Sequence, residues 1–249
     1  MNGVISGWNP QANPTNAITT VDNSGKASYT GITIAQWRGA DFLYAANFGQ
    51  NSIDVFDSGF NPVARPQGAF VDDRIPPGFS VFNVQAIGDT LFVTYASLNV
   101  FGSAGAPGEG YVDIFNPDGM LLKRLRHGSW MNAPWGVTLA PAHGNDPGGR
   151  VFVGMFGSGQ IARFDIRRGN FHGLLRDEAG QPITIGKGLW GLGFGNGATA
   201  GPADVLYFAT DVPLHIDPTG PANPPPIGIF GALVPGPHSE DVENDGGGD

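Results

Sequence analysis

The 249 residues include 40 Gly, 21 Pro and no cysteine, which excludes disulfides and thiolate metal sites and favours short strands joined by tight turns. With 13 Lys and Arg against 22 Asp and Glu, no nucleic-acid partner is expected, because phosphate contacts need clustered basic side chains. No run of about 20 apolar residues occurs, so no membrane span is expected either.

The chain opens on Met1-Asn-Gly-Val-Ile-Ser6, which has neither a basic n-region nor a hydrophobic core, so no signal peptide is read in it. Ile5 to Asn9 and Ala17 to Val21 then read as two short strands. A four-part pattern follows and recurs at a spacing of 52 to 55 residues. Each copy begins with a small apolar strand A: Gly31 to Ala35, Asn83 to Ile87, Gly136 to Ala140, and Gly191 to Phe194. A strand B follows at Leu43 to Asn47, Leu91 to Tyr95, Val151 to Met155 and Leu206 to Thr210. A strand C ends in an aromatic residue: Ile53 to Phe56, Val112 to Phe115, Ile161 to Phe164 and Ile227 to Phe230. Turns such as Asn116-Pro-Asp-Gly119 lead into a strand D at Leu121 to Leu125 and at Phe171 to Leu175.

Periods of this length, with several short strands each, mark propeller blades. The expected fold is therefore all-β: a β-propeller of four-stranded antiparallel blades, three complete and two partial. Ile5 to Asn9 aligns with Ile53 to Asp57 as a strand C, so the chain enters in mid-blade. Either it is a fragment of a six-bladed propeller, or its N-terminal strand D completes the last blade of a five-bladed ring. Residues 1–234 form the propeller domain, and the acidic, Gly-rich stretch 235–249 is expected to be a disordered tail.

Connections B to C differ in length. Phe48 to Ser52 and Phe156 to Gln160 are tight turns, whereas Ala96 to Gly110 and Asp211 to Pro226 are long loops, and long loops often carry function. The channel mouth between the long loops is the candidate ligand site. It is lined by Asn83, Asn132, Trp135 and Trp190 from starts of A strands, and by Asn47, Tyr95 and Asp211 from ends of B strands. An aromatic rim with amide and carboxylate groups suits a small polar ligand or a protein partner. Trp135 and Trp190 occupy equivalent positions, which points equally to packing between blades. Asn83 stands where the other copies have Gly. Asp211, His215 and Asp217 form a hard-ligand cluster for a divalent cation such as calcium. No nucleophile elbow or phosphate loop is present.

Leu43-Tyr-Ala-Ala-Asn-Phe-Gly-Gln-Asn-Ser-Ile-Asp-Val-Phe-Asp57 resembles the repeat of NHL and SMP-30-like propellers. Ile5 to Pro10, Ala133 to Ala140 and Gly188 to Asn196 are similar to an uncharacterised family of secreted bacterial six-bladed propellers, from about Gly3 to Leu233. The resemblance implies further blades ahead of Ile5 and an extracytoplasmic parent protein. It transfers no catalytic residue. SMP-30-like lactonases hold a divalent cation at the channel mouth, which implies a metal-dependent lactonase or esterase as the alternative to a non-enzymatic binding module. Met155 departs from the repeat, which has Asn at that position, as at Asn47.

Overall fold

The computed structural model describes residues 3–103, 105–142, 149–186, 188–212 and 227–236. Within them the regular structure is nearly all strand. β1 (Val4–Gly7) and β2 (Ile18–Asp22) make a first sheet; β3 (Tyr29–Trp37), β4 (Ala40–Asn47) and β5 (Ser52–Phe56) make a second. A third contains β6 (Phe79–Ile87), β7 (Thr90–Ser97), β8 (Tyr111–Phe115) and β9 (Leu121–Arg124). The fourth is β10 (Pro134–Leu139), β11 (Arg150–Met155), β12 (Ile161–Asp165) and β13 (Phe171–Leu174), and the fifth β14 (Leu189–Phe194), β15 (Leu206–Val212) and β16 (Ile227–Leu233). Every pairing is antiparallel between strands consecutive in the chain. A single short helix, α1 (Val100–Ser103), interrupts the connection from β7 to β8. Among the described residues no helix is long and apolar enough to cross a membrane.

The third and fourth sheets bury residues on both faces, so apolar seams form between successive sheets. Tyr44, Ala46, Ile53 and Val55 of the second sheet meet Val84, Leu91, Val93 and Phe115 of the third. Phe92, Val112 and Ile114 on the far side of the third meet Val137, Val151, Val153 and Phe164 of the fourth. Ile161 and Leu189 carry the seam to the fifth sheet. Tight turns fix the strand lengths: Asn116 Oδ1 accepts the amides of Asp118 and Met120, and Gly119 takes φ 91°, open to glycine without a Cβ penalty.

Two expectations need correction. Only two of the three expected complete blades have four strands. After β5 the chain makes an isolated bridge, Phe56 to Pro62, in place of a strand D. Pro62 and Pro66 lack the amides that a ladder requires, and the segment instead sends Phe70 into the seam, its amide bonding Gly119 O. Nor is the pairing needed for a five-bladed ring made: β2 pairs with β1, and β16 with β15, so no closed ring forms among the described residues.

Candidate functional site

Each of the four A strands breaks register at its start, the place where the sequence puts the channel mouth. In β3 the pairing skips Thr30, and in β6 it skips Phe82. In β10 it skips Trp135 and Gly136, and in β14 Trp190 and Gly191. A bulge leaves a residue out of the ladder and re-aims its side chain. Phe82, Trp135 and Trp190 thereby converge with Phe48, Phe156 and the α1 residue Val100 in one cluster. The two indoles meet edge to face at 5.4 Å, and Phe82 lies 5.6–6.1 Å from the rings of Phe48, Phe101, Phe156 and Trp190. Here the mouth is an aromatic plug.

Most of its polar groups are engaged within the chain. Trp135 Nε1 donates to Thr30 O at 3.1 Å, reaching past the third sheet to the second. Asn83 Nδ2 donates to Trp135 O at 2.8 Å. A Cβ on Gly31 would lie 1.9 Å from Asn83 Oδ1, so the bare Gly31 backbone makes room for that amide. Trp190 Nε1 donates to Asp211 Oδ2 at 2.8 Å, which occupies one oxygen of the proposed metal ligand. His215 and Asp217 lie outside the described residues. Among the described residues no cluster of three His, Asp or Glu side chains stands close enough to hold a metal ion.

Asn47 is a loop clip. Its Oδ1 accepts the Ser28 amide at 3.0 Å, and its Nδ2 donates to Asp54 Oδ2 at 3.1 Å. Asp54 also accepts Tyr29 OH and Ser52 Oγ. Burial pushes the Tyr29 hydroxyl up to about 12; the Asn23 hydrogen bond opposes this and Asp54 adds to it. At the matching place in the fourth sheet, Met155 Sδ receives the Asn132 amide at 3.4 Å. Thioether sulfur is a weak acceptor, so the departure at Met155 preserves a weaker form of the clip. Asn132 Oδ1 is buried without a hydrogen-bond partner among the described residues.

Tyr95 does not reach the mouth. It is buried in the seam between the second and third sheets. There it belongs to a charged network that sequence reasoning missed. Asp113, fully buried on β8, accepts Arg124 Nε at 3.0 Å. Arg124 also faces Asp72, which Arg74 grips at 2.9 and 3.0 Å. Asp113 Oδ2 and Tyr95 OH have no hydrogen-bond partner among the described residues. Burial pushes the Asp113 carboxyl up to about 6, against the opposing charge and hydrogen bond of Arg124. Burial also works to raise Asp72, but hydrogen bonds from Arg74 and the charges of Arg124 and Arg74 outweigh it, leaving its carboxyl below the ordinary value. The signal was present in the repeat: Asp113 opposes Val93 as Asp54 opposes Ala45, so an Asp recurs at one register position.

The Asn83 contact yields a sharp expectation. Gly31→Ala should be strongly destabilising in the wild-type chain and much less so when Asn83 is also alanine, a coupling of about 1–3 kcal/mol by denaturant melts of the four proteins. Additive losses would mean that Gly31 and Asn83 do not touch.

No family model matches the chain. It is 35% identical over 200 residues to uncharacterized protein R640 of Acanthamoeba polyphaga mimivirus, across 77% of this chain and 36% of that protein. It is 33% identical over 201 residues to uncharacterized protein L690 of the same virus, across 76% of this chain and 51% of that protein. The chain thus spans about a third to a half of the length of these relatives. Among solved structures it is similar to Kuenenia stuttgartiensis hydrazine synthase, with a TM-score of 0.51 and 15% identity over 82% of this chain and 50% of that one. That similarity, with the sheet order, defines a propeller-like fold and carries no chemistry. The likeness to NHL and SMP-30-like repeats rests on the repeat residues alone.

Proposed function

We propose that the chain is a β-propeller-type module that binds a protein partner through its channel face and carries out no chemistry of its own. The observation behind this reading is the contrast between spent polar groups and free apolar ones at the mouth. Asn47, Asn83, Trp135, Trp190 and Asp211 direct their polar atoms at other parts of the chain. Leu98 and Phe101, in the loop over the plug, are 56% and 46% exposed. Scattered apolar residues on a surface mean little, but Phe101 packs on Phe48, Phe82 and Phe156 and still stands half exposed, with exposed Leu98 three residues before it in the same loop, an apolar feature of the kind that binds proteins.

A photo-crosslinking residue placed at Phe101 tests the reading against one at Leu122, an exposed position on the outer strand β9. Discrete protein adducts are expected from Phe101 in a cell lysate, at about tenfold the yield from Leu122, and competed by excess wild-type chain but not by Leu98→Asp. Equal yields at the two positions would contradict the site. Divalent-cation-dependent turnover of lactones or esters would replace the reading with a hydrolase.

A further inference from the structure

The first and second sheets meet over only part of their width. Ile5 of β1 and Val21 of β2 cover Ala45 and Phe56, on β4 and β5. On the same face of the second sheet, Ile32 pairs with Ala45 and Ile34 with Leu43, yet Ile32 is 48% and Ile34 65% exposed. The counterparts of Ile32 in the next two sheets are Val84, opposite Val93, and Val137, opposite Val153. Both are buried against the preceding sheet, and of the counterparts of Ile34, Ala86 is partly buried there while Leu139 is 36% exposed, so the contrast is sharpest at Ile32. The difference lies in the neighbour. The third and fourth sheets are each preceded by a sheet with strands at the A and B places, and the second is preceded by β1 and β2 alone, which match strands C and D.

We infer that the Ile32–Ile34 face and the unpaired edge of β1 receive an antiparallel two-stranded hairpin of the same repeat, joined to β1. Three features select this occupant. The exposed face is continuous with the apolar contact already made by Ile5, Val21, Ala45 and Phe56. In the other sheets strand order follows chain order, so strands A and B directly precede C. The viral relatives extend well beyond the matched region, which leaves room for such a hairpin. A second copy of the chain fits less well: the sheet it would offer, β14 to β16, brings its own C strand to the place β1 holds. The outer face of that fifth sheet, with Phe230 76% exposed, supports nothing here, since residues 213–226 and 237–249 beside it in sequence lie outside the described set. The inference rests on the blade reading and is independent of any partner at the mouth.

The test uses the 249-residue chain and a version with the third sheet's own hairpin, Phe79 to Ser97, joined to Val4 through the turn sequence Phe48-Gly-Gln-Asn51. Both carry Ile34→Cys, the sole cysteine. Maleimide labelling at position 34 is expected to slow by about tenfold or more in the extended protein, with amide exchange slowed along Val4 to Gly7. Unchanged labelling in a folded extended protein would overturn the inference. So would labelling of the unextended chain that slows as its concentration rises, which would identify a second copy as the occupant. Should the extended protein fail to fold, Ile34→Asp in the unextended chain decides. A melting temperature within a few degrees of wild type supports an uncovered face, and a loss as large as that of Val84→Asp overturns it. Crosslinking at Phe101 is expected to be the same in both versions, so failure here and failure of the binding reading are distinguishable.

Discussion

Replacing Phe82 by alanine is expected to cost about 3–5 kcal/mol of stability, the range for deleting a fully buried ring that neighbours cannot collapse around. Phe82 is wholly buried, and the rings it touches come from separate elements: the turn after β4, helix α1, the turn after β11, and β14. Phe48, Phe156 and Trp190 are anchored by the strands that flank them, which limits how far they can move into the space. The bulge at Phe82 places the ring at the centre, so the residue joins three sheets at once. Denaturant melts followed by tryptophan fluorescence should show the loss directly, with altered emission from Trp135 and Trp190. Phe82→Leu should recover part of the loss.

Arg124→Leu should cost a comparable amount at neutral pH, about 3–5 kcal/mol, because it leaves the buried carboxylates of Asp113 and Asp72 without that cation. The cost should shrink as pH falls toward 5, because Asp113 can then take up a proton in place of its lost partner. The wild-type chain carries the same signature in milder form. Asp113 ionises near pH 6 in the folded state, against 3.8 as its ordinary value, so the folded chain holds that proton longer than the unfolded one. Its contribution to stability is therefore greatest below about pH 4 and falls as pH rises toward 6. Asp72 has the opposite sign: its lowered carboxyl adds stability above its ordinary value of 3.8, lost as the solution is acidified below it. Melting curves from pH 4 to 7 should show Asp113→Asn gaining on wild type as pH rises through the Asp113 window. A constant difference would mean that Asp113 is not the titrating group.

The strand order was legible because two periodicities overlap in the sequence: alternation within strands and the 52-to-55-residue repeat between them. All sixteen strands of the described residues fall where those patterns place them. The strand expected after β5 fails because Pro62 and Pro66 remove ladder donors, a local veto that the repeat alone could not show. The candidate residues could be named from the repeat, but the contacts they make could not. Asn83 was singled out from its Gly counterparts as a ligand group, and its amide donates to Trp135 O beside the bare backbone of Gly31. Bulges caused that misreading: they turn Phe82, Trp135 and Trp190 inward, where plain alternation would leave the mouth open. Tyr95 was misplaced because the ends of B strands were treated alike, although its register sets it in the seam above Asp113. Asp113 and Arg124 face each other across β8 and β9, but Asp72 joins them from the segment after β5, and only the folded seam brings it there.

The most direct test separates seam from rim in one experiment: crosslinking yield per folded molecule from position 101, measured in Asn83→Ala and Leu98→Asp beside the wild-type mouth. If the polar groups of the mouth are structural and its apolar rim binds, Asn83→Ala lowers the melting temperature by several degrees and leaves the yield intact. Leu98→Asp then leaves the melting temperature unchanged and removes the adducts. Loss of adducts in Asn83→Ala at an unchanged melting temperature, with Leu98→Asp still binding, would contradict that division and return the amide to the ligand site.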